Sequence, residues 1–393
     1  MKSTILILIG LLIFSCGSDN NNDYTPIPEE QTIDFSNILT IDFDNLHNYS
    51  NQSIPNYIIK DNTTPGNEIT NEVATLGRIL FYDKNLSADN TIACASCHKQ
   101  SLAFTDNVQA SSGINGLTSR HSMRLVNARF GVEAKFFWDE RAINLETQTT
   151  MPIQDHVEMG FSGENGDENF NDLIAKLELT EYYPALFNFA FGSEDITELR
   201  IQNALAQFVR SIQSFDSKYD VGRALANNDG QPFTNFSPQE NQGKQLFLQP
   251  PVYNNQGVRI NGGLGCAGCH QAPEFDIDPN SLNNGMIGSI ASNIPDLNVT
   301  RSPSLRDVVK ADGSANGLFM HNGSLTTLDQ VLEHYNSISL TNNSNIDPRL
   351  SPGGEGQNLN LTEDEKQAVI AFLQTLGGTD VYTNEKWSNP FIQ

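Results

Sequence analysis

The chain has 393 residues, with 47 acidic side chains against 23 basic ones and a formal net charge of −24. So acidic a surface excludes nucleic acid as a partner, because phosphate binding needs basic side chains. It suits a basic electron-transfer partner, or solubility alone, and the length leaves room for two domains.

Residues 1–15 combine Lys2, the apolar run ILILIGLLIF and Ser15. This is a charged start, an apolar stretch and a small residue, which reads as an export signal and not a membrane span. Cys16, directly after LLIFS, resembles a bacterial lipobox, although Phe14 is an unusual residue there. A periplasmic or outer-membrane lipoprotein is expected, touching the membrane only through a lipid on Cys16. Residues 16–40 are then a lipid-anchored tether, because the Asn-rich stretch GSDNNNDYTPIPEEQT is polar and suited to flexibility.

The first helix is expected at LGRILFYDKN, followed by IACASCHKQ. Four of the five cysteines lie in two CxxC pairs, Cys94/Cys97 and Cys266/Cys269, and a histidine follows each pair at once, His98 and His270. A disulfide needs no histidine. A zinc site wants its second ligand pair within about 12 to 20 residues, and these pairs lie far further apart. The remaining reading is covalent c-type haem at both places, with two thiols bonded to the porphyrin and the adjacent histidine as iron ligand. Covalent haem is attached outside the cytoplasm, in agreement with the export signal.

Further along, Ile201, Leu205, Phe208 and Ile212 recur at helical spacing in DITELRIQNALAQFVRSIQSF. The segment ANNDGQPFTNF then reads as a linker. After it the chain repeats itself: Gly243–Phe247 and Gly77–Phe81 both read Gly-basic-x-Leu-Phe, and each precedes a haem motif. In TTLDQVLEHYN, Thr327 and Gln330 predict a capping box, and Leu328, Val331, Leu332 and Tyr335 share one helix face. A last helix is expected through LTEDEKQAVIAFLQTLGG. Thr362 and Glu365 form its capping box, Val369, Phe372, Leu373 and Leu376 its apolar face, and Gly377 its stop. Strand signals are sparse, so the fold should be mainly α with long loops.

The motifs LGRILFYDKNLSADNTIACASCH, FFWDERAINLETQTTMPIQDHVEMG, FDSKYDVG, QGKQLF…CAGCH, RSPSLRDV and FMHNGSLTTLDQVLEHYN occur in this order. Together they resemble the bacterial di-haem cytochrome c peroxidase and MauG-type family over residues 66–378. The resemblance implies two cytochrome c-like haem domains. Residues 41–220 would hold the peroxidatic haem, residues 221–380 the electron-transfer haem, and residues 381–393 would be a tail. It implies an enzyme that reduces hydrogen peroxide with electrons from a small donor, a cytochrome c or a cupredoxin.

The resemblance also assigns roles. Glu158 stands at the family's distal glutamate, with Gln148 and Pro152 at its distal glutamine and proline. His156 is expected to be incidental. Trp138 matches the tryptophan between the haems, and Arg141 reads as a propionate or structural ion-pair partner. Glu140 replaces a glycine usual in that block. Ile114 stands where many members carry a histidine that caps the reactive iron, so this centre should stay open without prior reduction. His121 falls where the family has an asparagine ligand of calcium, which puts that ion in doubt; its other reading is a surface or haem-edge histidine. Tyr335 matches the axial tyrosine of MauG-type members, with Met320, Met286 and His334 as the other possible ligands of the second iron. Two further functions stay open: a MauG-type enzyme that oxidises aromatic residues of a partner protein, and a non-enzymatic di-haem electron carrier in which Glu158 has no role.

Overall fold

The computed structural model describes residues 35–392. The export signal, Cys16 and most of the tether lie outside them. Among the described residues no helix is long and apolar enough to cross a membrane. The fold is mainly helical: α1 (Asn71–Tyr82), α2 (Cys94–Cys97), α3 (Leu145–Thr150), α4 (Phe170–Glu178), α5 (Tyr183–Phe191), α6 (Glu198–Ser211), α7 (Lys218–Leu225), α8 (Pro238–Leu248), α9 (Leu328–Asn336) and α10 (Glu363–Gln374). Four short strands form two antiparallel ribbons, β1 (Pro251–Tyr253) with β2 (Arg259–Gly262), and β3 (His270–Gln271) with β4 (Asp276–Ile277).

The repeat seen in the sequence is a repeated helix crossing. In the first half α1 packs on α6, and in the second α8 packs on α10. A Cβ on Gly77 would lie 1.9 Å from the Ala204 carbonyl oxygen, and one on Gly243 would lie 1.8 Å from that of Ala368. Only glycine lets the two backbones approach so closely. The basic residue that follows each glycine is also used alike. Arg78 donates from Nε to the Ser388 carbonyl at 2.7 Å, and Lys244 donates to the Asp229 carbonyl at 2.8 Å. Phe81 and Phe247 then enter the two hydrophobic cores, beside Phe208 and Phe372. The crossing helices form as their sequences direct. Ile201, Leu205, Phe208 and Ile212 are all buried, and Thr362 and Glu365 make the expected capping box. The last helix stops earlier than expected, at Gln374. Gly377 lies beyond it and serves a close approach instead, because a Cβ there would meet the Val309 carbonyl oxygen at 2.6 Å.

Two buried ion pairs tie the motifs together. Arg306 of RSPSLRDV reaches both carboxylate oxygens of Asp220 in FDSKYDVG at 2.8 Å. Arg210 on α6 grips Glu146 on α3 at 2.5 and 3.0 Å, and Asn67 and Thr64 also donate to that carboxylate. Burial alone would raise the Glu146 pKa; these donors bring it down to about 2. The pair therefore contributes stability above the ordinary carboxylate pKa, and loses it as pH falls towards 2. Arg210→Met leaves a buried carboxylate alone and should cost about 3–5 kcal/mol, measured by denaturant unfolding at neutral pH. A loss below about 1 kcal/mol would show that α3 is held otherwise.

The two ends of the described chain meet on the first core. Leu39 bridges Phe391, and Thr40 bonds the Pro390 carbonyl from its N–H at 2.8 Å. Residues 381–392, expected as a tail, carry Val381 and Trp387 into that core, where Trp387 is 1% exposed and its indole N–H donates to the Ser211 carbonyl. The second core, around Tyr219, Phe247, Phe275 and Phe372, draws nothing from residues beyond Leu376.

Candidate active site

Each Cys–His motif opens onto a cavity. In the first half, α2 is a single turn that carries Cys94 and Cys97, and His98 leaves it at once. The His98 Nδ1 lies 3.0 Å from the Phe104 carbonyl. Donating there leaves Nε2 as the lone-pair nitrogen, the form that binds a metal. Ala103 and Phe104 both take left-handed backbone conformations, at φ 54° and 62°, which turn this carbonyl to the ring. Burial lowers the His98 pKa, which favours the neutral ring.

The space beside His98 has two lobes, of about 140 and 70 Å³. Gln148, Pro152 and Glu158 line both of them together with His98 and Cys97. Gln148 is presented by α3, whose N-cap Asn144 accepts from the Thr147 N–H at 2.8 Å. Glu158 follows a turn in which Asp155 Oδ1 accepts from the Val157 and Glu158 N–H groups at 2.8 and 3.0 Å. Neither the Gln148 amide nor the Glu158 carboxyl has a side-chain hydrogen bond to any described residue. Burial, with the Asp155 charge added, pushes the Glu158 pKa up to about 7, against the pull of Arg141. His156 lines neither lobe and turns its Nδ1 to Asp167 at 2.8 Å.

Across Glu158 lies the loop at 111–118. Ile114 donates its N–H to the Glu158 carbonyl at 3.1 Å, and Asn115 donates to that of Val157 at 3.2 Å. The Ile114 side chain packs over Gly160 and lines neither lobe. A Cβ on Gly113 would lie 2.0 Å from the Val157 carbonyl oxygen, so glycine is what allows this docking.

The second cavity is larger, about 660 Å³, and holds Cys266, Cys269 and His270. Leu328, Val331, Leu332 and Tyr335 on α9 all line it, as their spacing predicts, and Thr327 and Gln330 make the expected capping box. Met320 lines it too. A single amide joins the two candidate ligands: Asn284 Nδ2 donates to the Tyr335 hydroxyl at 3.1 Å and lies 3.5 Å from the Met320 sulfur. Met286 and His334 do not line this cavity. The Met286 sulfur lies 3.9 Å from the Ser324 hydroxyl, and His334 Nε2 lies 3.0 Å from the Asn284 carbonyl. Burial raises the Tyr335 pKa above the usual phenol range. Burial, then the Arg349 charge, lowers that of His270 to about 4, and its buried Nδ1 has no partner among the described residues.

One wall belongs to both cavities. Trp138 lines each of them, and its indole N–H donates to the His121 carbonyl at 2.8 Å. His121 is not at the surface: it is 3% exposed, and its Nδ1 lies 2.9 Å from the Val108 carbonyl. Its backbone N–H donates to the His321 carbonyl at 2.7 Å, which links the halves at this wall. The same wall contains Arg124 and Arg301, which the sequence did not single out. Arg141 pairs with Asp139 at 2.9 Å and stacks 3.6 Å above the Phe137 ring. Glu140 adopts φ 57°, a conformation glycine takes more freely, and is held by Thr300 and Lys135.

Two cavities, each with a thiol pair and a half-buried histidine, define a protein built around two covalently held haems. The comparisons agree with that class. Residues 71–229 match the model of the CCP_MauG family, described as di-haem cytochrome c peroxidase. The chain is 30% identical over 323 residues to the methylamine utilization protein MauG of Methylophilus methylotrophus, covering 79% of this chain and 84% of that protein. It is 28% identical to the cytochrome c551 peroxidase of Nitrosomonas europaea, covering 78% and 80%. A solved MauG-like protein associated with microbial copper homeostasis superposes with a TM-score of 0.65 at 25% identity, covering 86% of this chain and 99% of that one. The chain belongs to the family of di-haem cytochrome c peroxidases and MauG proteins, and its activity is of the di-haem peroxidase type. Family membership brings two c-type haems. The residues fit them: four thiols are free, His98 can turn Nε2 to the cavity while Nδ1 faces the Phe104 carbonyl, and the His270 Nδ1 has no partner among the described residues.

Proposed function

We propose that this is an exported di-haem peroxidase that reduces hydrogen peroxide to water with electrons from a small redox protein, a cytochrome c or a cupredoxin. The observation that carries this reading is the Glu158 carboxyl. It faces the His98 cavity without a hydrogen-bond partner, and its pKa lies at about 7. A catalytic acid–base group works best when its pKa matches the working pH. The haems, when bound, supply an iron that takes up peroxide and a second centre that stores and receives single electrons.

The chain's own residues do the rest. Cys94, Cys97 and His98 hold the peroxidatic group, and Cys266, Cys269 and His270 hold the electron-transfer group. Glu158 takes a proton from one peroxide oxygen and returns it to the other as the O–O bond opens. With two electrons and two further protons, both oxygens leave as water. Gln148 orients the peroxide through its free amide. Trp138, fixed by its bond to the His121 carbonyl, passes an electron across the shared wall. Ile114 offers no ligand, so nothing in its loop closes the reactive position. Calcium has no part in this scheme. The export signal and a lipid on Cys16 would hold the enzyme outside the cytoplasm.

A MauG-type activity, in which the stored oxidation is spent on aromatic residues of a partner protein, is the second reading. Tyr335 lining the second cavity favours it, because an anionic oxygen ligand stabilises oxidised iron where a thioether does not. Both readings expect the fully oxidised protein to react with peroxide without a priming electron. Stopped-flow mixing, followed by turnover with a panel of small electron-transfer proteins, tests them. Donor oxidation at steady state supports the peroxidase, and a long-lived oxidised state that no donor discharges supports the second reading. Tyr335→Met should raise the second centre's potential and shorten that state. If the wild type already has methionine–iron absorption in the near infrared, Met320 is the ligand and the second reading loses its support.

A further inference from the structure

Most buried arginines of this protein are matched by a carboxylate. Arg210 has Glu146, Arg306 has Asp220, and Arg259 has Glu365. Arg78 instead donates to the Ser388 carbonyl and hydroxyl, and two arginines remain without an ion pair: Arg124, which is buried, and Arg301, which is half-buried. Arg124 is 8% exposed, and its one hydrogen bond is a long contact from Nη1 to the Asn316 carbonyl at 3.5 Å. Asp307 is the main negative charge acting on it, yet the two make no ion pair; Tyr382 and the Gly378 N–H occupy Asp307 Oδ1. Arg301 bonds the Lys135 carbonyl at 2.5 Å from Nη1 and lies 4.2 Å from the Phe136 ring centroid. The Nε of each guanidinium is buried and has no partner among the described residues, which is also true of Arg210 and Arg306; what differs is that no carboxylate grips the other nitrogens.

A buried guanidinium without a counter-charge is costly, and native proteins pair such groups. Burial brings both pKa values down to about 10, which still leaves both groups charged at neutral pH. Asp307 acts on Arg124, and Glu133, Glu140 and Asp276 act on Arg301, but none closes an ion pair with them, so each guanidinium keeps donors free for a further anion. The place narrows its identity, because both arginines line the wall common to the two cavities. Each haem brings two propionate carboxylates, and a guanidinium binds carboxylates with up to five directed donors.

We propose that Arg124 and Arg301 are the cations that hold the haem propionates, and that each serves both cavities at once. The proposal rests on the di-haem reading above. Its consequence is electrostatic coupling. Two positive charges in the shared wall favour the reduced state of either iron, so both potentials depend on the same two side chains. The wall that carries Trp138 then also balances the centres between which it passes electrons.

Spectroelectrochemical titration of the mature holoprotein tests this, after haem content has been measured as the pyridine haemochrome. Arg124→Gln and Arg301→Gln should each lower the potentials of both haems. The expected change is at least about tenfold in each reduction equilibrium, equal to about 59 mV for a one-electron couple. Unmoved potentials, or shifts confined to one haem in both variants, overturn the proposal. Wild-type protein with fewer than two haems overturns the di-haem reading itself and the proposal with it. If the glutamine variants fail to take up haem, Arg124→Lys and Arg301→Lys carry the test. They keep the charge and lose the fork geometry, so the propionate-bending bands in resonance Raman spectra should move. Unmoved bands count against the proposal.

Discussion

Glu158→Gln is expected to leave both haem attachments intact and to slow peroxide cleavage at least about a hundredfold, the usual scale for loss of a positioned acid–base group. Glutamine nearly matches the shape but cannot accept the proton. The pH profile makes the test specific. Only the ionised carboxyl can take a proton from peroxide, and its pKa lies at about 7. The wild-type rate should therefore rise with pH up to about 7 and fall about tenfold per unit below it, and this limb should vanish in the variant. Stability should follow the opposite course. The folded protein holds a proton on Glu158 between the ordinary glutamate value of 4.5 and about 7, where the unfolded chain has lost it. That contribution is complete below the lower value and is lost as pH rises through the upper one. Glu158→Gln removes this dependence. An unchanged cleavage rate would make the carboxyl structural, and His156, turned to Asp167, is too badly placed to replace it without a loop shift.

The second large effect falls on folding. Gly77→Ala and Gly243→Ala each put a carbon within 2 Å of a backbone oxygen on the crossing helix. Neither oxygen is a side-chain tip that can step aside, so the helices must separate. Each substitution should cost more than about 3 kcal/mol, beyond the usual range for an overpacked core. Gly230→Ala is the control, because its added carbon meets only the side-chain oxygen of Asn228 at 3.2 Å. Thermal unfolding of the three variants would rank them. If Gly77→Ala or Gly243→Ala matched the control, the crossings would have to be looser than described.

Much of this molecule could be read from local rules. Helix α9 begins at the Thr327–Gln330 box and turns Tyr335 to the cavity because four apolar or aromatic residues share one face. The repeated Gly-basic-x-Leu-Phe motif announced two like halves, whereas the helix crossings it serves depend on partner helices far along the chain. The block from Trp138 to Glu158 gave the residues gathered around His98, because their order resembles a family pattern. What stayed hidden depends on distant neighbours. Arg124 and Arg301 look like any surface arginine in the sequence, and only their place in the wall between two cavities sets them apart. Asn284 lies in a loop with no periodicity, yet its amide meets both candidate ligands of the second centre. Gly377 looked like a helix stop, and the approach of Val309, far away in sequence, gave it a different task.

The return of Trp387 to the first core bears on how the molecule is made. A chain is made and exported from its N-terminus, so the segments of α1 and α6 emerge before residue 387. Until then the Ser211 end of α6 lacks its indole cover, Arg78 lacks the Ser388 carbonyl, and the Tyr82 hydroxyl lacks the Trp387 carbonyl. The first half is therefore not sealed by its own residues alone, and its closure needs residues 381–392. A chain cut before residue 381 would keep every residue assigned to chemistry and still leave its first core unsealed.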